Sequence, residues 1–211
     1  MSFTVLISLV DIIYFIAELA YGLNTDGQFL EVTSDSIADL GGKWPYQMRE
    51  NYQIQRFFLP IIMHANFLHI SSNLFSQIIF GTRIESWFGT TKIIIIYLLS
   101  GVSGNLFSNL MAEESCYAYS IPNCLSVGAS TSIMGLLGCL LGYVILYWSD
   151  IPSRDRSMLL CYTIFLILYT LLFGLGSDHI DNNGHIGGLI MGILLGFVLC
   201  EVKPDKKWGF G

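Results

Sequence analysis

The sequence predicts an all-α membrane protein, a bundle of six transmembrane helices with both termini on the cytoplasmic or equivalent side, and three observations carry that reading. Of 211 residues, 53% are hydrophobic and only 12% charged, with a mean hydropathy of +0.60. A soluble domain of this length needs more charge to cover its surface, so lipid is the solvent for most of the chain. Six separate stretches each approach the roughly 20 apolar residues that cross a bilayer. The basic residues are also unevenly shared between alternate loops, which sets the orientation.

The chain reads as one membrane domain over 1–211, with spans near 2–22, 57–80, 92–112, 129–148, 157–176 and 183–201. The first, "MSFTVLISLVDIIYFIAELAYG", lacks a basic leader and a small-residue cleavage site, so it is expected to stay as a span. It carries Asp11 and Glu18, which the pattern leaves unassigned. Spans two, four and six hold Gly, Ser, His or Asn, which belong on an interior face where protein or water satisfies them. Arg83, Lys92, Arg154, Arg156, Lys203, Lys206 and Lys207 fall on the side of the termini. The opposite side has only Lys43, Arg49 and Arg56, all in the long first loop. That loop, 23–56, interleaves Trp44, Tyr46, Met48, Tyr52 and Ile54 with charges and reads as an interfacial segment with aromatic anchors. The net charge of -6 has no basic run within it, which argues against a nucleic-acid partner. The tail after the sixth span is too short for a seventh helix.

Of five cysteines, Cys139, Cys161 and Cys200 fall in spans and read as small packing residues. Cys116 and Cys124 share the third loop; they pair if that side is oxidising and stay free thiols if it is reducing.

Two serines compete as nucleophile. "SGVSGN" places Ser103 in mid-span, where its N–H belongs to the helical ladder. "SVGASTSIMG" places Ser130 at a helix start, where the first N–H groups lack partners and can hold an oxyanion. Spans four and six begin on the same face, so Ser130 and His185 share a depth, the condition for a base-activated serine. Gly184, Gly188, Gly192 and Gly196 recur every fourth residue, a stripe that brings helices close; Gly135, Cys139 and Gly142 offer the matching face. His64 and Asn73 are side-chain donors suited to an oxyanion hole, and His69 between them reads as a structural hydrogen-bonding residue. Three histidines also suggest zinc or haem. Against a metal stand the lack of His-Glu-x-x-His, of cysteines at ligand spacing and of carboxylates beside the histidines. No cofactor is expected.

These motifs together resemble the rhomboid family of intramembrane serine proteases over nearly the whole chain. "HANFLHISSN" resembles the family's His-x4-His-x3-Asn, "GTRIESWFG" its Gly-x3-Glu-x3-Gly turn, "SGVSGN" its third-helix packing motif, "VGASTSIMG" its Gly-x-Ser segment around Gly128 and Ser130, and "GHIGGLIMG" its sixth-helix histidine segment. The resemblance implies a Ser130–His185 dyad without a third acid. It also implies oxyanion donors from Ser130 N–H, His64 and Asn73, with Glu85 as a structural acid. Water would reach the dyad from the outer side, under a cap "GSDHIDNNG" in which Asp178 and Asp181 are expected to be exposed. The implied reaction hydrolyses peptide bonds in or near transmembrane helices of protein substrates through an acyl-enzyme. The chain departs from the family pattern at three places. Thr131 stands where Gly is commonest, adding bulk beside the hydrolytic site; Gln55-Arg56 stands for Trp-Arg; and Met134 stands for an aromatic that stacks on the histidine, a role a thioether can take. The rival expectation is a non-catalytic member that binds transmembrane helices as a chaperone, a trafficking factor or a subunit of a membrane assembly, with Thr131 and Gln55 as its support. A channel or transporter lacks an inverted repeat.

Overall fold

The computed structural model describes residues 2–117, 124–175 and 180–201. Helix α1 (Phe3–Tyr21) starts from Ser2, whose hydroxyl accepts from Val5 N–H. Its remaining free amides are met from afar. Glu85 accepts from Phe3 N–H (2.8 Å), Thr4 N–H (3.0 Å) and the Thr4 hydroxyl (2.8 Å), and from the Thr90 hydroxyl (2.8 Å). One carboxylate thereby satisfies the start of α1 and ties it to the turn before the third long helix. Thr4, Ser8, Asp11 and Glu18 form the buried face of α1 together with Ile7 and Phe15. Gln77 donates to Ser8 and Asp11 (both 2.9 Å) and accepts from the Tyr97 hydroxyl (2.6 Å).

The first loop is more ordered than an interfacial strip. A two-stranded hairpin, β1 (Leu23–Asn24) and β2 (Glu31–Val32), leads to α2 (Ser34–Leu40), capped by Thr33, and then to α3 (Pro45–Glu50). Val32, Ile37, Met63, Ile70 and Phe15 form a small core beneath it. Met48 is buried, while Tyr52 and Ile54 project from the surface as anchors would. Arg56 is buried, donates to the carbonyls of Ala38 and Gly42, and lies 5.9 Å from the ring of Trp44. Trp44 therefore provides the aromatic neighbour that Gln55 does not.

The second span differs from the sequence expectation at both ends. Residues 57–66 are not helical span but short 3-10 turns (Ile54–Phe57 and Leu59–Ile62) followed by extended backbone at Met63. Pro60 lacks an N–H and favours such a turn. The helix begins at α4 (Phe67–Ser76), where Asn66 caps it by accepting from His69 N–H at 2.8 Å. It continues through a π-turn (Gln77–Gly81) into α5 (Thr82–Phe88).

The remaining helices are α6 (Thr90–Leu110), α7 (Ser130–Leu146), α8 (Ser153–Leu175) and α9 (Asn182–Leu199), close to the expected limits. Helices α1, α6, α8 and α9 have the length and apolarity to cross a membrane; α7, at 17 residues, is the short apolar one. Almost every residue of α7 is buried, so it is the axis of the bundle, whereas α8 shows Phe165, Leu168 and Leu172 outward. The glycine stripe of α9 lies on α7 backbone to backbone. A Cβ on Gly188 would strike the Thr131 carbonyl, one on Gly192 the Gly135 carbonyl, and one on Gly196 the Cys139 carbonyl. Cys139 and Cys200 are buried with sulfurs 3.3 Å apart, while Cys161 is exposed.

Candidate functional site

The site is built at the N-terminal ends of α7 and α9. Gly128 has φ +129°, a conformation that favours glycine, and leads through Ala129 into Ser130, the first residue of α7. The helical ladder opens with Ile133 N–H donating to Ala129 O (3.0 Å), so the amides of Ser130, Thr131 and Ser132 precede it. Nε2 of His185, in the first turn of α9, is 2.8 Å from Oγ of Ser130. The imidazole is buried, and its Nδ1 has no hydrogen-bond partner among the described residues. Ser103 lies mid-helix in α6, between Gly101 and Gly104, whose bare faces meet Ser132 and Thr131.

The second-span residues gather beside Gly128. A Cβ there would come within 2.7 Å of His69 Nε2 and 3.4 Å of Asn73 Nδ2, a second reason why the position is glycine. His64 packs edge-on against His69, ring centroids 5.3 Å apart. His64 is fully buried and neither ring nitrogen makes a hydrogen bond of normal geometry among the described residues; Asn73 Nδ2 is also buried and unpaired. Unpaired buried polar groups are costly, which sets these side chains apart from the satisfied polar groups around them. The backbone around His64 is fixed from outside: Glu18 Oε2 accepts its N–H (3.1 Å), and Val32 N–H donates to Ala65 O (2.8 Å). Glu18 escaped the sequence reading because its partner lies 46 residues away and is a main-chain group.

One expectation needs correcting. Asp178 and the rest of 176–179 lie outside the described residues, but Asp181 is no exposed cap. Its side chain is 17% exposed and accepts from Lys43 Nζ (2.6 Å), the hydroxyls of Ser108 (2.6 Å) and Ser126 (3.0 Å), and Gly184 N–H (2.9 Å). Burial pushes its carboxyl up, but the Lys43 ammonium and these hydrogen bonds prevail and hold it at about 2. It does not bond the His185 ring; only its main-chain carbonyl accepts His185 N–H (3.1 Å). The Thr131 hydroxyl is buried without a hydrogen-bond partner among the described residues. The Thr131 methyl lies against the spaces left by Gly104 and Gly184. Met134 is buried with Leu137 and Ile167, a packing role within α7 and α8.

The Cys116 and Cys124 sulfurs are 2.10 Å apart, a disulfide that closes the third loop. Among the described residues no group of three or more His, Cys, Asp or Glu is arranged to hold a metal ion.

Comparison with known proteins agrees with the sequence resemblance. The family model for the rhomboid domain matches residues 51–202. RHOMBOID-like protein 6, mitochondrial, of Arabidopsis thaliana is 34% identical over 184 residues, 87% of this chain and 55% of that protein. Rhomboid-like protease 1 of Toxoplasma gondii is 32% identical over 205 residues, 97% of this chain and 66% of its own. RHOMBOID-like protein 1 of Arabidopsis thaliana is 30% identical over 191 residues, 90% of this chain and 46% of its own. The chain thus spans about half to two thirds of the length of these curated relatives.

Proposed function

Because this chain belongs to the rhomboid family, an integral multi-pass membrane family with named proteases, we propose that it is an intramembrane serine endopeptidase that cleaves peptide bonds in or near the transmembrane helices of other membrane proteins. The observation that carries the proposal is the 2.8 Å contact between His185 Nε2 and Ser130 Oγ at the start of α7.

For Nε2 to receive the serine proton, the neutral imidazole must carry its own proton on Nδ1. Ser130 Oγ then bonds to the scissile carbonyl carbon as Nε2 takes the hydroxyl proton. The carbonyl oxygen becomes an anion, for which the Ser130 N–H, His64 and the Asn73 amide are the donors. Each such donor contributes roughly 3 kcal/mol to the transition state. His185 passes its proton to the leaving amine, giving an acyl-enzyme and a free amino end. A water, deprotonated by His185, then attacks the ester and releases the carboxylate and the serine. The disulfide, the Lys43–Asp181 pair and Glu85 are structural in this scheme.

The competing reading, a helix-binding member without catalysis, rests on Thr131 and Gln55. The Thr131 methyl packs toward Gly104 and Gly184, and Trp44 covers Arg56, so neither departure removes a group the chemistry uses.

A fluorophosphonate probe on purified protein separates the two. Labelling is expected in wild type and Ser103→Ala, and lost in Ser130→Ala and His185→Ala. A folded wild type that neither labels nor cleaves a helix-destabilised substrate would overturn the protease reading in favour of helix binding.

A further inference from the structure

The glycine stripe that joins α7 and α9 leaves one degree of freedom open. Gly188, Gly192 and Gly196 repeat every four residues, and the α7 carbonyls they face, those of Thr131, Gly135 and Cys139, repeat at the same interval. A slip of one repeat, about 6 Å along the axis, would bring glycine back onto small residues while carrying His185 a full turn from Ser130. A periodic seam fixes how near two helices lie but is weak at fixing their register. Something aperiodic must do that.

Lys43 stands where such a group is needed. Its main chain pairs with Ser126 in both directions, Lys43 N–H to Ser126 O at 2.9 Å and Ser126 N–H to Lys43 O at 3.1 Å. Its side chain, 5% exposed, donates to Asp181 at 2.6 Å and to the Ser108 hydroxyl. Ser126 is four residues before Ser130, and Asp181 is four residues before His185. The Ser126 hydroxyl itself donates to Asp181 at 3.0 Å. The approach to α7 and the cap of α9 are thereby joined to one residue of the first loop and to each other, one turn above the two side chains that must meet. A cavity of about 330 Å³ opens over this cluster, lined by Lys43, Ser108, Asp181, Asn183 and the Cys116 and Cys124 pair.

We propose that Lys43 and Asp181 are positioning residues that set the axial register of α7 against α9, and with it the spacing of Ser130 and His185. Its catalytic consequence rests on the protease reading; the register itself does not. Neither residue touches the reacting atoms. Removing one partner strands a buried charge, whereas removing both charges leaves a neutral cluster that can keep the hydrogen bonds.

The test uses the full chain in liposomes, comparing wild type, Lys43→Met, Ser126→Ala and the double variant Lys43→Met/Asp181→Asn. Amide hydrogen exchange is followed in peptides covering 124–130 and 180–186. Cleavage of a transmembrane model substrate gives kcat and KM. Lys43→Met is expected to raise exchange in both peptides together and to lower kcat by roughly tenfold or more with KM little changed. The double variant is expected to recover most of both. Should Lys43→Met fail to fold, Ser126→Ala removes only a hydroxyl and is expected to loosen both peptides to a smaller extent. Unchanged exchange in both peptides of a folded Lys43→Met, or of Ser126→Ala where that variant stands in, overturns the proposal. Looser peptides in a protein whose wild type cleaves nothing would support the register role while removing the protease reading.

Discussion

Where α7 meets α9, main chain lies on main chain; where α1 meets the second span, contact runs through hydrogen-bonded side chains. In the first region Gly188, Gly192 and Gly196 admit the carbonyls of Thr131, Gly135 and Cys139, and no side chain stands between. In the second, Glu85 gathers the amides of Phe3 and Thr4, Gln77 bridges Ser8, Asp11 and Tyr97, and Glu18 holds the His64 amide. The two serve different needs. The proposed dyad requires two helices at a distance no larger side chain permits, and close packing supplies it. His64, one of the proposed oxyanion donors, lies in a stretch without α-helix, 57–66, whose backbone groups must be satisfied away from water, and polar side chains supply part of that. The first region should therefore be brittle to added volume, and the second sensitive to lost hydrogen bonds.

The largest effect follows from volume. Gly192→Leu forces a side chain into the Gly135 backbone, which cannot move aside, and is expected to abolish the folded state. Size-exclusion chromatography and thermal melting check it. A monodisperse variant of normal melting temperature would show that the α7–α9 seam is looser than described. By contrast, Asn73→Ala adds no volume and removes a buried, unpaired donor, so it is expected to cost far more activity than stability. A fall of roughly 10²-fold in kcat with little change in melting temperature is the expected outcome. An unaffected kcat would remove Asn73 from the oxyanion hole.

The ionic cluster between the two regions gives a pH signature. The folded Asp181 carboxyl sits at about 2, below its ordinary 3.8. A depressed folded value contributes stability that is full above about pH 4 and fades as pH falls through about 2, with a size of about 2 kcal/mol. The melting-temperature gap between wild type and Asp181→Asn should accordingly be wide near pH 6 and close near pH 2. A gap that stays constant would mean that the ion pair is not its source. The smallest effect is at Thr131. Its methyl fills space against Gly104 and Gly184, so Thr131→Gly should lower stability by about 1 kcal/mol and leave kcat within a few-fold. A several-fold rise in kcat would show instead that this methyl obstructs the site.

What the sequence reveals divides along the same line. The spans, the helix-start position of Ser130, its shared depth with His185 and the glycine stripe are local or periodic features, and each is visible in one stretch of residues. The start of the second helix is not legible in sequence because "RFFLPIIM" is nearly as apolar as a span. Hydropathy cannot distinguish a 3-10 turn held by Gly128 and Asn105 from a transmembrane helix. Asp181 looks exposed in sequence because its partner Lys43 is 138 residues away, in a loop whose mixed aromatic and charged pattern suggests an interfacial strip. The space that receives the Thr131 methyl is invisible in sequence for the same reason, since it belongs to Gly104 and Gly184 on other helices.

The central claim is that Ser130, and not Ser103, becomes the acyl or phosphonyl carrier when the two regions meet. Peptide mapping by mass spectrometry after reaction with the fluorophosphonate tests it most directly. The account predicts a single adduct on the peptide that contains Ser130, absent when His185 is replaced by Ala. An adduct on the Ser103 peptide, or one on Ser130 that forms at the same rate without His185, would contradict it.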